Sequence, residues 1–465
     1  MGNRRLVLGL PRAAWWTGIA AGVAVGSFYT LSPTTIWFLP AMLALFAWAG
    51  HGLGARERRW VFGVLGTAVV ARLLIIASLF LFGDRVNEPF AVLFGDERAI
   101  VNRSLWTMDL ALGRALAPTA YAETYNTYGR SSIYNIFGWW QYWVGPASYG
   151  IRLVNVGMWM TGAVVMYRTA RRSYGPLPAL GGLVALLFMP TLFVWSLSAL
   201  KEPAYVLLTT CTIVGTMTFA RGGSLPVRLL GAAVACAALW ALMSLRSIGL
   251  FVSAGGLLAA ATLWASTRRA WICAIVLVIA VAGGVLAVRA GVVRKQVMPQ
   301  LRLAATVHIG NVRTPGYAYK LLDRRFYSAD YRDDQFRSMT HAETARFVVR
   351  AAASFLTVPL PWEAASLSLL ALLPQQAAWY ILALLAVVGV AAGSRRDALF
   401  TWMLVGTVGL GAAAVSLFNG NVGTLVRMRD SVLSLVVWLS AVGACAMIEW
   451  TARRFSKGPQ HAHPR

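Results

Sequence analysis

Two adjacent carboxylates stand in the stretch Leu93-Phe94-Gly95-Asp96-Glu97-Arg98, directly after an apolar run. A carboxylate beside a dry, membrane-bounded cleft can act as general base on a hydroxyl or amine acceptor. It can also ligate a divalent cation such as Mg or Mn through oxygen. The structural alternative for Asp96 and Glu97 is stabilisation of the first turn of a following helix, worth about 1 kcal/mol. Lys201-Glu202-Pro203 offers a second polar cluster at an interhelical turn. Lys201 could hold a phosphate as a point charge, and Glu202 could pair with it or touch metal. The plainer reading is a helix opened by Glu202 and Pro203, with Lys201 snorkelling to headgroups.

A third cluster runs from Asn419 to Asp430 (NGNVGTLVRMRD). Its glycines let backbone N–H groups approach an anion, with Asn421 between them. Arg427 and Arg429 can both reach one phosphate if the segment is extended or turning. Arg246 is placed to join them, since cations at membrane depth tend to be functional. The alternative is a loop whose arginines bind headgroups. Asp333-Asp334 and His341/Glu343 match no metal-ligand spacing, and His461 and His463 lie in a polar tail. No nucleotide phosphate loop, dinucleotide fingerprint or serine elbow is present. A sugar donor, if there is one, is therefore expected to be lipid-linked.

The elements that must position these residues are membrane helices. Of 465 residues, 58% are hydrophobic and only 13% charged, with 19 Trp and a mean hydropathy of +0.62. Soluble domains carry about 25% charged residues. The net charge of +25 does not point to nucleic acid, because the basic residues cluster beside apolar runs, as orientation signals do. Cys211, Cys236, Cys273 and Cys445 all lie inside apolar runs, which excludes a disulfide framework or zinc spacing. Arg4, Arg5 and Arg12 precede an apolar stretch with no convincing cleavage pattern, so it is read as an uncleaved first span.

About twelve runs approach the length a crossing needs: roughly 13–31, 34–50, 60–82, 150–168, 177–195, 203–220, 229–245, 248–266, 270–289, 376–393, 399–417 and 431–449. The expected fold is all-α: a polytopic transmembrane bundle with helical outer loops and both termini cytoplasmic. With the N-terminus inside, every even-numbered exit is basic, including Arg56-Glu57-Arg58-Arg59, Arg171-Arg172 and Arg395-Arg396. Residues 131–147, rich in Trp and Tyr, are read as an interfacial helix, since counting them as a span would put Arg171-Arg172 outside. Of the 17 acids, only Glu57, Asp397 and Glu449 fall on the inner side. The rest fall chiefly in two outer loops, about 83–149 and 290–375. A helix is expected from Thr340 to Phe355. One domain over 1–455 and a disordered tail over 456–465 complete the layout, in the plasma (inner) membrane of a bacterium.

Taken together, these residues resemble the GT-C superfamily of integral-membrane glycosyltransferases, which includes protein O-mannosyltransferases and the aminoarabinose transferases of lipid A. The similar features are the acidic pair Asp96-Glu97, the step Phe137-Gly138, Arg152-Leu153-Val154-Asn155, Lys201-Glu202, and the segment from Asn421 to Arg429. They span about 90–430. The resemblance implies transfer of a sugar, with inversion, from a polyprenyl-phosphate carrier to a glycan, lipid or protein acceptor on the extracytoplasmic face. It implies Asp96 as base, Glu97 as assistant or metal ligand, and Lys201, Arg427 and Arg429 as holders of the departing phosphate. The chain departs from the pattern in the two extra spans before the acidic loop, in Arg98 directly after the pair, and in having no soluble C-terminal domain. Two other readings compete. A polysaccharide polymerase or ligase would lean on late-loop Arg and His, and a lipid-linked sugar transporter or flippase would need mid-membrane charge and paired halves.

Overall fold

The computed structural model describes residues 16–18, 20–22, 24, 33–83, 95–125, 132–146, 149–314, 317–328, 338–360, 362 and 367–456. Asp333-Asp334, His461, His463 and most of the first expected span lie outside them. The described residues are helical, with one isolated bridge between Ala318 and Asn421. In chain order the helices are α1 Thr34–Gly50, α2 Ala55–Phe82, α3 Gly95–Ala111, α4 Pro118–Tyr125, α5 Ser132–Val144 and α6 Gly150–Tyr174. Then come α7 Pro176–Phe188, α8 Pro190–Leu197, α9 Glu202–Arg221, α10 Leu225–Leu245, α11 Ser247–Arg268 and α12 Ala270–Arg289. The last five are α13 Met298–Arg313, α14 His341–Thr357, α15 Leu367–Arg396, α16 Ala398–Phe418 and α17 Val422–Ser456.

Among the described residues eight helices are long and apolar enough to cross a membrane, or up to nine if the bent pair α7–α8 is a single span. By length and composition this is a polytopic membrane bundle. The count falls short of twelve for identifiable reasons. Helix α1 has 17 residues, a little short of the ~20 that a crossing needs. Helix α6 is long, with 25 residues, but Arg152, Asn155 and Arg168 make it too polar to qualify. The run at 177–195 is broken, with α7 and α8 meeting at 61°. Pro190 supplies no N–H and biases Met189 to extended backbone, so the helix cannot continue through it.

By contact the chain forms two compact units. One comprises residues 1–161 with Ser196–Pro203, the other Gly162–Trp195 with residues 204–465. In the first, α5 lies on α3. Ile133, Phe137 and Gln141, four residues apart, form its buried stripe, while Ile136, Trp139, Tyr142 and Trp143 stay exposed. Gly138 permits the close approach: a Cβ there would stand 2.8 Å from Cβ of Thr107 and 2.9 Å from the Ser104 carbonyl. Gln141 Nε2 donates to Ser104 Oγ at 2.8 Å across the same seam.

In the second unit, α15 and α17 pack backbone to backbone. A Cβ on Gly389 would strike the Leu439 carbonyl, and one on Gly443 the Leu385 carbonyl. Small residues are how membrane helices gain van der Waals contact without a hydrophobic driving force. The second polar loop has its own core: Ala305, Ile309, Leu321, Phe326, Phe347 and Ala351. Helix α14 starts at a capping box in which Thr340 and Glu343 satisfy each other's backbone N–H. Arg325 also pairs with Glu343.

His308 ties this subdomain together. Its ring faces the Asn419 carbonyl at 2.7 Å through Nδ1 and the Tyr327 hydroxyl at 2.9 Å through Nε2. A carbonyl can only accept, so Nδ1 carries the proton and Tyr327 donates to Nε2. The Tyr327 oxygen in turn accepts the Leu321 and Leu322 N–H groups, each at 3.0 Å. Burial pushes the His308 pKa down to about 4, against the Asn419 carbonyl, which raises it. The folded state therefore holds His308 neutral while the unfolded chain takes up a proton near 6.5. Its contribution is complete above 6.5 and is lost as pH falls from there through about 4, roughly 3 kcal/mol in all. Asp323 titrates below this window, held down by Arg346 and then by Arg350. Amide exchange at Leu321 and Leu322, corrected for intrinsic rate, should accelerate across that window in the wild type. In His308→Gln it should be insensitive to pH.

Candidate functional site

The polar centre of the first unit is the stretch Ser196 to Leu200, buried throughout, in which α8 ends at Leu197 and Ser198 to Leu200 are not helical. Its backbone groups must find partners in the protein, and three side chains supply them. Glu97 Oε1 accepts the Ala199 N–H at 2.8 Å. Arg152 Nη1 donates to the Leu197 carbonyl at 3.3 Å. Asn155, one turn further along α6, uses both amide hydrogens, on the Ser198 carbonyl at 2.6 Å and the Leu200 carbonyl at 2.8 Å. Arg72, fully buried in α2, adds a bond from Nε to Ser196 Oγ at 2.7 Å.

Glu97 and Arg152 also hold each other. Nη2 reaches Oε2 at 2.7 Å and Nη1 reaches Oε1 at 3.3 Å, a two-pronged pair with both side chains buried. The two acids thus have different surroundings. Successive helix residues are about 100° apart, so Glu97 points inward from the first turn of α3 while Asp96 is exposed. Both stand where a helix N-terminus favours negative charge. Lys201 follows the pinned segment and is half-buried, and Glu202 is buried in the first turn of α9.

This arrangement revises the expected chemistry of the pair. Both Glu97 oxygens are taken by Arg152 and Ala199, so Glu97 is not open to a cation while that pair stands. Among the described residues no group of three or more His, Cys, Asp or Glu could hold a metal ion. The residues present therefore do not fit a Mg or Mn ion shared by Asp96 and Glu97.

The late cluster lies in the second unit. Asn421 is buried and caps α17, its Oδ1 accepting the Gly423 N–H at 2.9 Å. The segment after it is helical rather than extended or turning, so Arg427 and Arg429 diverge by about 200°. They cannot grasp one phosphate as the extended geometry would allow. Arg429 is buried and donates to the carbonyls of Phe355 and Val358 and to Gln376 Oε1, at 3.3, 3.0 and 2.6 Å. Its guanidinium also lies over the Trp379 ring, 4.9 Å from the centroid. Arg427 is half-buried over Trp195 at 5.5 Å, and Trp195 Nε1 donates to Asp430 at 2.6 Å. Arg246 lies over Tyr205 at 5.6 Å and reaches Met428 Sδ at 3.2 Å. Arg246 and Arg427 therefore meet the same turn of α17, each half-buried against an aromatic ring. That setting strengthens the attraction of a cation for a phosphate.

Sequence reasoning passed over Arg72 and did not rank Arg152 or Asn155 as site residues. Arg72 could have been found as an ionisable group within a 28-residue apolar helix. Arg152 and Asn155 carry a weaker signal, two polar residues three apart on an otherwise apolar face. Removing one partner of the Glu97–Arg152 pair leaves a buried charge alone, at roughly 3–5 kcal/mol. Thermal unfolding in detergent, followed by tryptophan fluorescence, should show Glu97→Gln and Arg152→Gln each strongly destabilised. The double variant should be markedly better than the sum of the two, and simple additivity would mean the pair does not act as a unit. Searches against protein-family models, curated proteins and solved structures find no match for the chain.

Proposed function

We propose that this chain is a membrane glycosyltransferase of GT-C type. It would move a sugar from a polyprenyl-phosphate carrier to a glycan, lipid or protein acceptor on the extracytoplasmic face of a bacterial plasma membrane, with inversion. The observation that supports this best is the interlocking of the early motifs. Glu97, Arg152 and Asn155 share hydrogen bonds with the turn that leads into Lys201-Glu202, across 102, 45 and 43 residues of sequence. That network fixes the first turn of α3 and leaves Asp96 as its exposed carboxylate.

In this reading Asp96 takes the proton of the acceptor hydroxyl as its oxygen attacks the anomeric carbon. The bond from that carbon to the carrier phosphate breaks, and the phosphate leaves with the electron pair. Lys201 stabilises the charge gained by the phosphate, more in the transition state than before it. Glu97 is a positioning residue. Arg246 and Arg427 are further phosphate-holding candidates within the second unit, while Arg429 and Asn421 serve as packing and capping groups. A divalent cation at Asp96 would have to draw its other ligands from outside the Glu97 pair.

The buried Arg72 and the broken α7–α8 pair give a lipid-linked sugar flippase its best support, because such proteins use intramembrane charge and discontinuous helices. Transfer from radiolabelled polyprenyl-phosphate sugars in membranes separates the readings. Wild type should transfer label, and Asp96→Asn, which keeps shape and removes charge, should lose activity by about a hundredfold. Equal activity in both would reduce Asp96 to a helix-end charge and favour a ligase. No transfer with any sugar would direct attention to flipping.

A further inference from the structure

The arginines at one end of the second unit fall into two groups. Helices α11 and α16 run antiparallel: Gly255 faces Leu410, Gly256 faces Thr407, and a Cβ on Gly406 would stand 2.9 Å from the Ala260 nitrogen. The C-terminal end of α11 therefore lies towards the start of α16, where Asp397 stands. Asp397 accepts both prongs of the Arg221 guanidinium, at 2.7 and 2.6 Å. At the same end Glu449 pairs with Arg396 at 3.1 Å and with Arg453 at 3.9 Å. Both carboxylates are thus occupied. Arg268 and Arg269 form the other group. Among the described residues neither has a carboxylate partner, and each lies against a tryptophan instead. Arg268 Cζ is 4.6 Å from the Trp264 ring centroid, one turn back along α11. Arg269 Cζ is 6.0 Å from that of Trp271, in the first turn of α12. Arg269 alone separates the two helices, so both guanidinium groups belong to one tight turn, and both are exposed. A guanidinium resting on a ring keeps the N–H fork in its own plane open, and that fork matches phosphate oxygens.

The surroundings of this turn decide where the phosphate comes from. Helix α12 has 20 residues. That makes it about 30 Å long, the thickness of a bilayer's hydrocarbon core. None of its described side chains is buried, and Leu277, Val278, Val281, Leu286 and Val288 are exposed along it. Lipid chains therefore cover α12, and Arg269 and Arg289 mark headgroup depth at its two ends. Trp264 and Trp271 occupy the level at which indole rings collect in membrane proteins. We propose that the turn between α11 and α12 binds the headgroup of an anionic phospholipid, in the leaflet expected to be cytoplasmic. Arg268 and Arg269 hold its phosphate diester, the two rings flank its glycerol, and its acyl chains follow α12. A zwitterionic headgroup fits less well, because its ammonium would meet two guanidinium groups. This site is independent of the transferase reading.

The test uses the full-length protein in detergent, with retained lipid counted by native mass spectrometry. The probes are phosphatidylglycerol, phosphatidylcholine and inorganic phosphate. Wild type should retain phosphatidylglycerol well above phosphatidylcholine, and inorganic phosphate should not displace it. Arg268→Gln with Arg269→Gln should weaken that retention about 25-fold, about fivefold for each arginine. A charge-matched control, Arg114→Gln with Arg346→Gln, removes two exposed arginines that do have carboxylate partners and should change nothing. Because Gln also removes orienting charge, Arg268→Lys with Arg269→Lys is the deciding variant. It keeps charge and orientation but loses the planar fork and its stacking, so retention should still fall severalfold. Trp271→Leu, at an exposed ring, should act in the same direction. Equal retention of the two lipids, an equal loss in the control, or undiminished retention by the Gln variant each overturns the assignment. Full retention by the Lys variant reduces the two arginines to orientation charges and overturns it too. Displacement by inorganic phosphate makes the site one for a free anion rather than a lipid.

Discussion

The buried pair between Glu97 and Arg152 is the constraint on which the first unit depends. Neither charge could be carried alone into so apolar a setting, because desolvation of an isolated ion exceeds what packing returns. Together, and with the Ala199 N–H and the Leu197 carbonyl, they form a set in which every strong donor has an acceptor. The pair does more than neutralise itself. It lets the backbone of Ser198 to Leu200 leave helical geometry in a buried setting, which buried peptide groups without side-chain partners could not do.

An acidic dipeptide thereby acquires two roles from one local structure. Helical geometry turns adjacent side chains about 100° apart, so a buried Glu97 places Asp96 outward at the same helix end. An outward carboxylate on a turn anchored by a buried ion pair is rigid at its base and accessible at its tip. Both properties suit a group that must meet a proton at a defined distance. A flexible loop would supply the second without the first.

The second unit solves a different problem with similar means. Its polar loop folds on a small core and is joined to the start of α17 through neutral groups: His308, Tyr327 and the Asn419 carbonyl. Arg429 makes a comparable junction with carbonyls and an amide rather than a carboxylate. Cationic and neutral hydrogen-bonding groups thus hold the loop to the spans, and between those junctions an apolar space stays open. Ala383 and Ala386 of α15 and Ala412 and Ala413 of α16 line that space, and larger residues there would narrow it.

Several features were legible in the amino-acid order alone. Long apolar runs with few charges dictate membrane helices, because a bilayer leaves the backbone no other partner than itself. The helix after Thr340 was readable from the Thr340–Glu343 spacing, and the aromatic segment 131–147 from its rings as a short helix, which forms over Ser132–Val144 with Trp139, Tyr142 and Trp143 exposed. Asp96, Glu97 and Lys201 could be singled out by type and place. The division of labour between Asp96 and Glu97 could not, because it depends on Arg152, 55 residues away from Glu97. The divergence of Arg427 and Arg429 was likewise hidden, for two residues apart means one side in a strand and opposite sides in a helix. The sequence by itself determined a bundle of membrane helices with polar clusters at their ends. Only the tertiary structure decided which of those polar groups are buried in pairs and which face outward, because burial is set by what arrives from elsewhere in the chain.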